Sequence, residues 1–202
     1  MRQTVILAAG TFPGKGTAAR RLLEGAARVV CCDGAADAYR RYCHREPAAV
    51  VGDLDSLRGV FEQTLRIPEQ ETNDLAKAAA YCRERGWKSP IVLGATGRRE
   101  DHTIDNVFRA LDLKLVVVTD YGRFIPFENR LTLRLAPGAA VSLFAPDSAT
   151  RMTSKGLKWP LDDVRFDTLY RASHNLATAR RVLLTTTRPA LVYLPEPLKI
   201  RD

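Results

Sequence analysis

No stretch of this chain approaches the roughly 20 consecutive apolar residues that a membrane-spanning helix requires. The longest apolar runs, such as residues 115–118, are only strand-sized. The opening MRQTVILAAG carries one Arg and a short apolar run. That is too little for a secretory signal, so the run is expected to be the first strand of the fold. Cysteine is scarce: Cys31, Cys32, Cys43 and Cys82, with no C-x-x-C pair. This excludes a disulfide framework and a zinc signature, and implies reduced thiols in a cytoplasmic protein. There is no run of five like charges, no internal repeat and no low-complexity tract. Walker-type G-K-[ST] and G-x-G-x-x-G loops are missing as well. Aromatic residues make up only 7%, and no RNP-like motif accompanies them. That argues against an RNA-binding module of the stacking kind.

What is present is a globular composition. Of 202 residues, 46% are apolar and 27% charged, enough for one ordinary domain or two small ones. The formal net charge of +8 favours anionic partners such as phosphorylated small molecules. Because the charge is dispersed, composition alone does not separate a nucleotide enzyme from a weak RNA binder.

Short apolar runs alternate with helical patterns through residue 125 or so. Strands are expected at 4–9, 28–32, 49–51, 90–94 and 113–119, and helices at 18–25, 35–43, 74–85 and 104–111. Such alternation implies βα units around a mostly parallel, Rossmann-like sheet. Beyond about Phe127, segments 130–135, 140–144, 182–187 and 190–194 read as short antiparallel strands, a small β-sandwich. The expected division is 1–125 and 126–202, with the boundary between Gly122 and Arg130.

Acidic residues recur after the strands, on the edge where α/β sheets bind ligands. They are Asp33, the pair Asp53 and Asp55 in V-G-D-L-D-S, Asp74 at a helix start, and Asp101 in G-A-T-G-R-R-E-D-H-T. If 52–56 is extended, Asp53 and Asp55 point the same way. Two carboxylates so placed repel unless a cation lies between them, and Mg²⁺ is the natural one. Asp74 and Lys77, three apart, share a helix face, so Lys77 can face phosphate while Asp74 faces a metal or hydroxyl. Thr72 is positioned to cap that helix or to bond phosphate. Arg98 and Arg99 offer fork-shaped phosphate donors.

In this order, C-D-G-A-A-D (32–37), V-G-D-L-D-S (51–56), E-T-N-D-L-A-K-A (71–78), G-A-T-G-R-R-E-D-H-T (94–103) and S-K-G-L-K-W-P-L (154–161) resemble the thiamine pyrophosphokinase (thiamin diphosphokinase) family. The resemblance spans nearly the whole chain. It implies an α/β domain that binds ATP and Mg²⁺, a β-sandwich that binds thiamine, and diphosphate transfer from ATP to the thiamine hydroxyethyl group with release of AMP. By position, Asp53, Asp55, Asp74 and Asp101 would be catalytic, the first three as metal ligands. Asp33, Thr72, Lys77, Arg98 and Arg99 would contact the nucleotide. Trp159 would stack on thiamine, with Ser154 and Asn175 near the same ring. The family further implies a homodimer, and no nucleic-acid or membrane partner. The chain departs from the family pattern in having Gly97-Arg98 for Gly-Gly, Asp33-Gly34-Ala35-Ala36 for D-G-G-A, and Ser173-His174-Asn175 for S-N. The competing readings are a Mg²⁺-dependent phosphohydrolase, whose carboxylates would activate water, and a basic RNA-binding protein.

Overall fold

The computed structural model describes residues 3–196, which form two compact units, Met1–Asp120 and Tyr121–Asp202. In the first unit the chain runs β1 (Thr4–Leu7), α1 (Ala18–Glu24), β2 (Arg28–Cys32), α2 (Ala35–Cys43), β3 (Ala49–Gly52), β4 (Thr64–Arg66), α3 (Asp74–Glu84), β5 (Ile91–Leu93), α4 (Glu100–Asp112) and β6 (Val117–Val118). The strands lie in the order β6-β5-β1-β2-β3-β4, and each pairing among them is parallel. Helices cover the sheet, so its central strands are apolar throughout instead of alternating: Val5, Ile6, Leu7, Val30, Cys31, Val50 and Val51 are fully buried. The chain passes from β1 outward through β2, β3 and β4, then returns to β5 on β1's other side. That reversal is the switch point at which open α/β sheets form a crevice beyond their carboxyl ends.

The local departures from the sequence reading have local causes. β4 is fully exposed and three residues long, so no apolar pattern announced it. The strand expected at 113–119 shrinks to Val117–Val118, because α4 runs on to Asp112 and Lys114 takes a left-handed φ of 57°. α4 starts at Glu100, not 104; Glu100 and Asp101 in its first turn suit the positive end of the helix dipole.

The second unit comprises β7 (Gly122–Arg134), β8 (Ala140–Phe144), β9 (Arg151–Lys155), β10 (Val164–Arg165), β11 (Ala172–Leu176) and β12 (Arg181–Pro195). β7 already begins at Gly122, so the break between units falls ahead of the Gly122-to-Arg130 segment, after Asp120. β12 pairs antiparallel with β7 along its length. Its first half also pairs with β9 and its second half with β8. The two runs read as separate strands are therefore one strand, interrupted by a register shift between Thr186 and Ala190. The sandwich core contains Phe127, Leu143, Met152, Phe166, Val182, Leu184 and Val192.

All four cysteines are free thiols. Burial pushes Cys31 and Cys32 far up, and Cys82 to about 11, while Cys43 is only partly covered. Since the thiolate is the reactive form, iodoacetamide should label Cys43 first in the native protein at pH 8. Cys31, Cys32 and Cys82 should become labelled only after unfolding, a sequence that peptide mass spectrometry of a labelling time course would establish.

Candidate active site

The carboxyl ends of the parallel strands deliver the acidic residues to one place. Asp33 follows β2, Asp53 follows β3 and Asp74 is the first residue of α3. One carboxylate oxygen from each lies within 4.8 Å of the others. Asp33 is 3% exposed and held in a left-handed turn with φ 45°. Its Oδ2 accepts from the Ser56 N–H at 3.2 Å, while its Oδ1 is buried with no hydrogen-bond partner. An orphaned anionic oxygen of this kind carries a desolvation cost that a cation would remove. A hard divalent ion, which takes oxygen ligands, fits this donor set.

Close approach of the backbone makes the cluster. A Cβ added at Gly52 would stand 3.1 Å from the Asp33 Cβ and 3.1 Å from the Asp74 Cγ. Gly52→Ala should therefore spread the carboxylates while leaving the sheet folded. A divalent ion held by these carboxylates should then bind roughly tenfold more weakly, comparable to losing a ligand's supporting contact; a Mn²⁺ titration unchanged from the parent would contradict it.

Asp55 is placed otherwise than 52–56 in extended form would place it. Leu54 adopts φ 69°, which breaks the alternation, and Asp55 is outside the trio; Asp33 stands in it instead. Asp55 still lies beside the Asp33 and Asp53 carboxyls, and Asp33 first and then Asp53 push its pKa up. Asp53 is held below the usual carboxylate range, first by the Gln70 side-chain amide, which donates to its Oδ2 at 3.1 Å, and then by the Asp55 N–H. Burial pushes Asp74 up, opposed by the Lys77 ammonium 3.4 Å from its Oδ1. Lys77 is no surface residue: at 4% exposed, it is buried against this carboxylate.

A cavity of about 470 Å³ opens over Asp53 and Asp74, lined besides them by Ala8, Gln70, Lys77 and Asp101 among others. Thr72 also lines it, but does not cap α3. That role falls to Asn73, whose Oδ1 accepts from the Ala76 N–H at 2.9 Å, while the Thr72 hydroxyl donates to Glu69. The extended backbone of Asn73, one residue nearer the helix, decides between the two caps. Arg99 and Asp101 form an exposed two-bonded pair, and the guanidinium holds Asp101 low. Arg98 occupies a left-handed φ of 68°, and its guanidinium donates to the Ala9 carbonyl at 3.3 Å. Gln70 and the acceptors around Asn73 had no signal in the sequence, since neither residue type announces a ligand site.

In the second unit, Trp159 is 53% exposed, which an aromatic kept for packing would not be. Its backbone is clamped by Asn175, which accepts from the Trp159 N–H at 3.2 Å and donates to its carbonyl at 2.7 Å. The Ser154 hydroxyl accepts from the Leu161 N–H at 2.9 Å. Both side chains are buried, so they shape the loop that presents the indole. The Lys158 ammonium lies 4.9 Å from the centre of that ring.

These features define an α/β protein with a carboxylate cluster suited to a cation, joined to a β-sandwich with a presented aromatic ring. The thiamin pyrophosphokinase catalytic-domain model matches residues 19–117, and the substrate-binding-domain model of the same family matches residues 122–193. The chain belongs to the thiamin pyrophosphokinase family. No curated protein sequence matches it significantly. Solved structures match in fold. A thiamin pyrophosphokinase family protein from Enterococcus faecalis superposes with TM-score 0.77 at 13% identity, over 96% of this chain and 99% of that one. The thiamin pyrophosphokinase from Geobacillus thermodenitrificans gives 0.74 at 18% identity, over 98% and 100%. That from Candida albicans gives 0.73 at 14% identity, over 96% and 89%.

Proposed function

We propose that the protein transfers the diphosphate of ATP to the hydroxyethyl oxygen of thiamine. A bond forms between that oxygen and the β-phosphorus. The bond from the β-phosphorus to the oxygen bridging to the α-phosphorus breaks, AMP leaves with that oxygen, and the hydroxyl proton is lost. The observation that carries the reading is the Asp33–Asp53–Asp74 trio with its orphaned buried oxygen, in a chain matched by both family models.

Asp33, Asp53 and Asp74 would hold Mg²⁺, with Asp55 beside them. Bound there, the ion would neutralise phosphate charge and orient phosphate oxygens. The chain's own groups supply the rest. Lys77, fixed by Asp74, presents a buried positive charge to the cavity. Arg98 and Arg99 would supply further phosphate donors, and Arg99 pairs with Asp101, which lines the cavity. Transfer of this type depends on positioning and charge neutralisation more than on a covalent nucleophile, and the described cavity offers carboxylates and a lysine to that end. Trp159 presents an aromatic face to the cationic thiazolium of thiamine. We place the enzyme in the cytoplasm as a homodimer; among the described residues no helix is long and apolar enough to cross a membrane, and the thiols are unpaired.

The test is incubation with thiamine, ATP and Mg²⁺ while AMP and thiamine diphosphate are followed together. Equal amounts of both, lost on omitting thiamine or adding chelator, are expected. Breakdown of ATP without thiamine diphosphate would mean hydrolysis instead.

A further inference from the structure

The N-cap of α3 does more than cap. At an N-cap Ser, Asp and Asn serve about equally well, with Thr somewhat behind. Here the residue is Asn73, and its whole amide is engaged. The oxygen takes the capping bond from Ala76. The nitrogen donates to the Asp105 carboxylate at 2.6 Å and to the Asn106 Oδ1 at 3.1 Å. A carboxylate only accepts, so the orientation of the Asn73 amide is fixed by chemistry, and that of Asn106 follows from it. The Asn106 nitrogen in turn donates to the Ala95 carbonyl in the loop after β5, at 3.0 Å. Asp105 is steadied by Arg109, one turn along α4, at 3.0 Å.

Two asparagines and one aspartate thus tie three segments together: the first turn of α3, the second turn of α4 and the loop leaving β5. The residue that follows Asn73 is Asp74. Movement of the α3 N-terminus would shift Asp74 relative to Asp33 and Asp53, because those two follow β2 and β3. Asp105 and Asn106 also line the cavity, so the tether sits in its wall.

We propose that Asn73 and Asn106 are positioning residues that hold Asp74 at the spacing a divalent cation requires. The inference rests on the proposed cation site and deepens it. An Asn73→Ser change separates the two duties, since the serine hydroxyl still caps but, shorter and with a single proton, does not serve both Asp105 and Asn106. Asn106→Ala removes only the branch that runs on to the Ala95 carbonyl and leaves the Asn73–Asp105 bond.

The experiment measures Mn²⁺ binding by electron paramagnetic resonance, without thiamine or ATP, alongside melting temperature. Each single variant should bind Mn²⁺ about 10- to 100-fold more weakly, the range seen when a ligand loses its supporting hydrogen bond. Melting temperature in Asn73→Ser should remain within a few degrees of the parent. The double variant should bind no more weakly than Asn73→Ser alone, because that change already removes both branches of the tether. Singles that bind within twofold of the parent, or losses that multiply in the double variant, would overturn the tether. Absence of Mn²⁺ binding by the parent protein would instead overturn the cation site on which it rests.

Discussion

Asp53→Asn should reduce diphosphate transfer at least about a hundredfold at fixed Mg²⁺, with partial recovery as Mg²⁺ is raised. The size follows from what the side chain does. Changing a residue that merely supports a metal ligand costs about 10- to 100-fold in affinity or activity, and a direct ligand is worth at least that much. Asp53 is also held in its anionic form by the Gln70 amide and the Asp55 N–H, whereas burial pushes Asp74 the other way. The substitution keeps the volume and removes only the charge, so folding should survive; Asp53 is partly exposed and its side chain accepts two hydrogen bonds at the loop surface. Circular dichroism should overlay that of the parent, and initial rates against Mg²⁺ give the effect. A full rate at saturating Mg²⁺ would place Asp53 in binding alone, and an unchanged rate at all concentrations would remove it from the site.

Trp159→Ala should raise the thiamine KM about 10- to 30-fold and leave the ATP KM within about twofold. A desolvated cation on an indole face is worth about 2 kcal/mol, which is a factor of roughly 30. The ring has a cation over it already, the Lys158 ammonium at 4.9 Å. The comparison variant Lys158→Met removes that competitor and should leave the thiamine KM equal or lower. Asn175→Ala is the harsher change. It strips both bonds from the Trp159 backbone in a buried position, at a cost of about 1–3 kcal/mol for the groups left unpaired. The thiamine KM should rise there too, now with a lowered melting temperature. Equal rises in both KM values for Trp159→Ala would mean that the indole supports the fold and not the substrate.

The parallel unit was readable because buried βα units write their strands as unbroken apolar runs, and TVIL and RVVCC did so. The acidic residues were readable for a related reason. The turn after each such strand is where a short polar side chain stands out. What escaped was whatever depends on a single torsion or a single amide. The left-handed Leu54 turned Asp55 out of line, and nothing about a leucine foretells φ 69°. The choice of Asn73 over Thr72 as cap lay between two adjacent residues that are both good caps. The continuity of β12 was hidden because Arg188 and Pro189 interrupt its alternation, and the strand absorbs them as a register shift. Ser154 and Asn175 were found through the family pattern, but their work as struts for the Trp159 loop is visible only in the hydrogen bonds.

The position of β12 also sets the order of events during synthesis. It is the last strand of the second unit, yet it touches β7, β8 and β9. Until the ribosome has passed Pro195, those three strands lack the neighbour that joins them, and their apolar faces have nothing to close against. The parallel strands of the first unit are all made by Val118, so that unit can consolidate while translation continues, as early domains do. Nascent chains arrested between Thr187 and Pro195 should therefore carry a protease-resistant amino-terminal half and a carboxyl-terminal half that chaperones must shelter.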